Sequence, residues 1–309
     1  MQQLIARLDF SLSAFLHGTR ELLYSVAVPG LPPHVRSASA LRLWNSQRVI
    51  VQDDVLALAL IDGDDTVHPL LLPTTGYRVF DDAHGNRARK LDFECAVVLP
   101  DQRLVVFGSG ASAGRVSLCI VVPGAAPRLL DAAALYAAMG AEIRFSGGAL
   151  NLEGVIVRGE RIIFMHRGNG PGAGNAFAEM SLDAFVRWLE ARGPVPPFVS
   201  ITQLDLGNVA GIALGITDAC VLDDGRVALL ACAENSTSVL TDGPVLACRF
   251  AVLEDASLRM TDVRDAQNDA SLLKLEGIEV VARGCFEVVA DRDDPGIPAL
   301  LGTLDVRGL

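Results

Sequence analysis

One pattern recurs along this chain and limits its fold more than any other feature. An acid opens a short apolar run, a polar turn follows, then a second apolar run and a polar finish. Four copies are LDFECAVVLPDQRLVVFGSG (91–110), LNLEGVIVRGERIIFMHRGN (150–169), GITDACVLDDGRVALLACAE (215–234) and LKLEGIEVVARGCFEVVAD (273–291). Their acids are Glu94, Glu153, Asp218 and Glu276; a fifth copy, SASALRLWNSQRVIVQDD (37–54), has Ser39 near the acid's place. The copies recur roughly every 55 to 65 residues, a period of propellers rather than of helical arrays. The runs VVL, LVVF, VIV, IIFM, VALL and FEVVA are β-branched or aromatic and too short for helices. The turns PDQ, RGE and DDG have hairpin length and turn residues. Dividing 309 residues by about 60 predicts an all-β propeller of about five blades. Residues 1–309 read as one domain, since no linker, charge block or low-complexity stretch divides them.

Two segments depart from the strand pattern and are predicted to be helical decorations on outer blade edges: 129–139 (LLDAAALYAAM) and 181–192 (SLDAFVRWLEAR). In the second, Leu182, Phe185, Val186 and Leu189 share one helix face, Ser181 suits the N-cap and Gly193 the stop. The last repeat leaves only Pro298 to Leu309 for a further strand. An N-terminal strand, placed around Leu22 to Val28, is therefore expected to complete the last blade and close the ring, removing its open sheet edges. The alternative is a sixth blade built partly from residues 1–35.

Composition narrows the partners. The formal net charge is −11, which disfavours nucleic acid and anionic membrane and suits a cation or a neutral small molecule. No stretch approaches a membrane span, and the N-terminus carries Arg7, Asp9 and Arg20 where a signal peptide needs an apolar core. The six cysteines lie singly in apolar runs without CxxC spacing and read as small buried hydrophobes. A cytoplasmic address is the expectation.

Several stretches also carry a family likeness. They are SAS (37–39) with QDD (52–54), KLDFE (90–94) with LPDQRLVVFGSGA (99–111), and LNLEG (150–154) with HRGNGPGAGNA (166–176). Further on come GITDA (215–219) with ACAENS (231–236) and DGP (242–244), then KLEGIE (274–279) with ADRDDP (290–295). Together they resemble a family of uncharacterised bacterial propellers, distantly similar to phytase-like and calcium-dependent apyrase propellers. The resemblance spans most of residues 37–301 and implies the fold; the close family brings no assigned reaction with it.

In a hairpin the start of the first strand lies beside the end of the second. The acid of each repeat should therefore meet the polar finishing residues in one central funnel: Asp53 and Asp54, Ser109, Arg167 and Asn169, Glu234 and Asn235, Asp291 and Asp293. Strand alternation adds Asp92, Asn151 and Lys274, two residues before the acids. Three uses of such a funnel compete. It can be a water-filled polar channel. It can hold calcium or magnesium on Glu94, Glu153, Asp218 and Glu276. Or Glu153 can act as acid or base while Arg167 and Lys274 hold an anionic substrate and Asp53, Ser109, Asn169, Glu234 and Asp291 bind it. No organic cofactor is expected. The leading expectation is a metal-assisted hydrolase of a small phosphorylated or ester substrate, with the reaction taken by analogy from the distant propellers. The alternative is a non-catalytic binding or scaffold propeller. Other motifs point elsewhere: 167–175 reads as a glycine-rich loop rather than a phosphate cradle, and DRDDPG (291–296) as a turn with funnel-facing acids rather than a calcium loop. The histidines lack zinc spacing, and Ser109 lacks a nucleophile elbow.

Overall fold

The computed structural model describes residues 2–74, 76–168, 174–235 and 243–309. Two strands come first, β1 (Gln2–Leu8) and β2 (Ser13–Glu21). Blade 1 is β3 (Ala38–Trp44), β4 (Gln47–Gln52), β5 (Ala57–Ile61) and β6 (Val67–Leu71). Blade 2 is β7 (Phe93–Val98), β8 (Leu104–Gly108), β9 (Ser117–Val121) and β10 (Arg128–Asp131). Helices α1 (Ala133–Ala141) and α2 (Ile143–Ser146) follow. Blade 3 is β11 (Leu152–Arg158), β12 (Arg161–His166), β13 (Asn175–Ser181) and, after helix α3 (Leu182–Ala191), β14 (Ser200–Asp205). The short β15 (Asn208–Val209) leads into blade 4: β16 (Ile212–Val221), β17 (Val227–Glu234), β18 (Val245–Glu254) and β19 (Ser257–Arg264). Blade 5 is β20 (Lys274–Ala282), β21 (Cys285–Asp291) and β22 (Leu300–Arg307), completed by β2.

Each blade is an antiparallel meander, and the first strands β3, β7, β11, β16 and β20 touch one another in cyclic order around the axis. Both faces of every blade are covered, which is why the strands are apolar throughout instead of alternating. In β8, for example, Leu104 and Val106 pack toward blade 1 while Val105 and Phe107 pack toward blade 3. The buried apolar residues accordingly fall into five clusters, one at each blade–blade interface. Five interfaces between five sheets make a closed ring.

Closure is N-terminal, as expected, but by a different segment. Ser13–Glu21, rather than Leu22–Val28, pairs antiparallel with β22. No sixth blade is built: β1 runs parallel between the outer strands of blades 3 and 4. The first 21 residues thus tie three blades together on the outside. The helical segments are present, with Ser181 Oγ accepting from Ala184 N at the start of α3. Residues 129–131, however, belong to β10, and Arg192 in the left-handed region ends α3 ahead of Gly193. The helices follow or pack on outer strands, and they also fill space between blades. Tyr136, Met139, Phe145, Phe185 and Trp188 fill the wedge between blades 2 and 3, where Phe185 packs 6.2 Å from Phe107 and 5.9 Å from Phe164. Two of the six cysteines are not free: Cys232 and Cys248 face each other across β17 and β18 and form a disulfide. Among the described residues, no helix is long and apolar enough to cross a membrane.

The axis is plugged below the funnel by one ion pair. Arg42 Nη1 and Nη2 each lie 2.6 Å from a carboxylate oxygen of Asp218. Arg42 also donates to the carbonyls of Leu41, Ala96, Val155 and Ile278, so this one side chain bonds to all five innermost strands.

Candidate functional site

A β-bulge interrupts every innermost strand, and its extra residue is Ser39, Glu94, Glu153, Thr217 or Glu276. A bulged residue leaves the ladder and re-aims its side chain. Three of the four repeat acids are set on the axis in this way. The fourth expectation is corrected: Asp218 stands one residue past the bulge, level with Gly154 and Gly277, and faces Arg42 rather than the other acids. Thr217 takes its place and donates to Leu275 O.

The funnel above the plug holds two polar clusters. In the first, Lys90 Nζ lies 2.7 Å from Asp53 Oδ2 and 2.6 Å from Asp92 Oδ1. Asp92 Oδ2 accepts from Arg115 at 2.6 Å and from the buried Ser109 hydroxyl. Asp92 has a positive φ of 57°, a strained backbone for a non-glycine residue, held by these contacts. In the second cluster, Arg167 Nη2 is 2.6 Å from Glu234, and Nη1 is 3.5 Å from Glu153 and 3.9 Å from Glu276. Lys274 Nζ is 3.3 Å from Glu276 and 3.1 Å from Asp293, and the Lys274 backbone stands opposite Asp291 in the β20–β21 register. Asn151 donates to Glu153 at 2.7 Å. Gly215 makes room for all this, because a Cβ there would come within 2.8 Å of the Arg167 side chain.

Among the described residues Asp53, Asp92, Glu94, Glu153, Glu234, Glu276, Asp291 and Asp293 outnumber Lys90, Arg115, Arg167 and Lys274 two to one. Ionisation suffers accordingly. Burial pushes Glu153 up to about 8, with Arg167 opposing and Glu276 reinforcing. Burial likewise raises Glu276 to about 7, against the pull of Lys274 and Arg167. Glu94 and Asp291 are held well above the carboxylate range by burial and by neighbouring carboxylates.

Asp53, Asp92 and Glu94 each offer an oxygen, all within 4.8 Å of one another. This hard-oxygen set suits calcium or magnesium, and Asp53 Oδ1 is buried with no hydrogen-bond partner among the described residues. A cleft of about 340 Å³ opens beside it, lined by Asp53, Asp54, Lys90 and the segments 81–83 and 293–295.

The expected residues are thus brought together with some changes of part. Asp53, Glu94, Glu153, Arg167, Glu234, Lys274, Glu276 and Asp291 all line the funnel. Ser109 is fully buried and braces Asp92 instead of facing a ligand. Asn169 lies outside the described residues. Sequence reasoning missed Lys90 and Arg115. The alternation that reached Asp92 from Glu94 reaches Lys90 two residues earlier; Arg115 comes from a loop with no repeat signal.

Residues 34–306 match a family described as "Family of unknown function (DUF6929)", a span that leaves β1 and β2 outside. No curated protein matches. Among solved structures the chain is similar to a streptogramin B lyase (10% identity, 94% of this chain and 97% of that one, TM-score 0.44). It is also similar to a putative gluconolactonase (11%, 98% and 95%, 0.44) and to the gluconolactonase XC5397 of Xanthomonas campestris (11%, 88% and 88%, 0.43). The propeller assignment rests on the strand pairing and the five inter-blade cores rather than on these likenesses.

Proposed function

We propose, for a chain that belongs to this family of unknown function (DUF6929), a hydrolase of a small ester or phosphoester working at the funnel with calcium or magnesium. The observation that carries the reading is the convergence of Asp53, Asp92 and Glu94 from two blades beside an open cleft. When bound, such an ion offsets the repulsion among carboxylates and polarises a substrate oxygen. The chain's own residues supply the rest. Glu153 and Glu276, held near neutrality by burial, can take or give a proton at ordinary pH. Arg167 and Lys274 brace these acids and favour negative charge developing beside them. In a thermal melt, millimolar calcium should raise the wild-type Tm and leave Glu94→Gln unmoved. An ion at 100 times its Kd adds about 2.7 kcal/mol. A panel of aryl esters, lactones and phosphoesters should show turnover that Glu153→Gln removes. A wild type indifferent to calcium and magnesium sinks the ion, and a silent panel sinks the hydrolase.

One observation favours a second reading, a non-catalytic binding propeller. Lys90, Arg167 and Lys274 already pair with the funnel acids, so the cluster holds together without an ion. That reading expects a ligand-induced stabilisation without turnover.

A further inference from the structure

The chain contains 24 arginines and only two lysines, Lys90 and Lys274, and both lysines stand in the funnel. Lysine differs from arginine in being a compact point charge on a flexible stem, without a planar fork to lock it in place. Lys90 puts that charge on Asp53 Oδ2 and Asp92 Oδ1, on two of the three carboxylates that the divalent ion proposed above would use. The other oxygen of Asp92 is taken by Arg115 and Ser109, so Oδ1 is the one left to exchange partners. Lys90 also lies outside the blade strands, directly after the short 3-10 turn Arg87–Arg89. Its side chain lines the neighbouring cleft, whose walls carry Asp82, Asp293 and Asp294.

Building on the metal reading, we propose that Lys90 is a tethered competitor for the divalent ion. With the ammonium in, Asp53 and Asp92 are neutralised and the ion is kept out. With the ion in, the ammonium swings into the cleft, where the carboxylates of Asp82, Asp293 and Asp294 receive it. Two cations cannot share those carboxylates without strong repulsion, since like charges a few ångströms apart in a partly buried site interact by kilocalories. The ion site is therefore weaker than its three carboxylates alone would make it.

Calorimetric titration of the full chain with calcium alone, at fixed ionic strength, tests this. Lys90→Met keeps the stem and removes the charge, and should bind calcium about tenfold more tightly or better. Lys90→Arg keeps the charge and should bind no more tightly than wild type. A second readout uses the wild type only: acetylation of Lys90 by acetic anhydride, followed by mass spectrometry, should speed up when calcium is added. If Lys90→Met binds no more tightly than wild type while Asp53→Asn abolishes binding, the ion site stands and the competition does not. Tighter binding by Lys90→Met without calcium-dependent labelling overturns the displacement. If neither wild type nor Lys90→Met binds millimolar calcium or magnesium, the metal reading falls and takes the competitor with it.

Discussion

Arg42 is the residue on which the ring is centred. A guanidinium offers five N–H donors in a fixed fork, and Arg42 spends them on carbonyls and a carboxylate from all five innermost strands. Asp218 is completely buried, so its charge has no other compensation of comparable strength. Removing one partner of a buried pair leaves the other charged and unpaired, at a cost of about 3–5 kcal/mol. Arg42→Met should lose about that much in chemical denaturation. The double variant Arg42→Met/Asp218→Asn should lose less than the sum of the two single changes, because the pair is coupled. Strict additivity would mean that the plug is not a pair in energetic terms.

At the scale of elements, the N-terminal strands stand out because they are distant in sequence from everything they hold. β2 supplies the outer strand of blade 5, and β1 fills the gap between the edges of blades 3 and 4. Leu4, Leu12, Ala14 and Leu16 are buried in the cores of those interfaces. Deleting residues 1–21 would bare the edges of β14, β19 and β22 together, and exposed edges pair with other chains. The expected outcome is aggregation in light scattering, or loss of a single cooperative melt. A truncated chain that stays monomeric with an unchanged Tm would show that blades 3 to 5 hold the ring by their own packing.

At the scale of the whole molecule, crowding carboxylates into one funnel makes stability depend on pH. Glu153 at about 8 and Glu276 at about 7 are raised far above the value of an exposed glutamate. The folded chain therefore keeps these protons over a range in which the unfolded chain has already released them. Stability must fall as pH rises from the ordinary glutamate range toward about 8, and level off above it. Tm measured without divalent ions should decline across that window. Glu153→Gln cannot ionise and retains Glu234 as a partner for Arg167, so its decline should be shallower and its Tm above wild type at the alkaline end. A variant that tracks wild type at every pH would mean that Glu153 is charged throughout.

The blades and their polar funnel were legible in the residues alone, while a sixth blade stayed open. These depend on local information: apolar runs of strand length, hairpin turns, and acids placed where each repeat begins. It also made Glu94, Glu153 and Glu276 legible as one group, because the bulge that aims them recurs at the same point of the repeat. What tertiary structure alone decided is register and pairing across the ring. Aligning acid with acid put Asp218 among the others, whereas the ladder places Thr217 at the bulge and Asp218 one step beyond, opposite an arginine 176 residues away. A one-residue slip is invisible in composition but sends a side chain in a different direction. Closure by Ser13–Glu21 and the pairing of Lys90 with Asp53 have the same origin. Each is a contact between segments far apart in the chain, fixed by shape and charge in the assembled ring and unmarked by any local pattern.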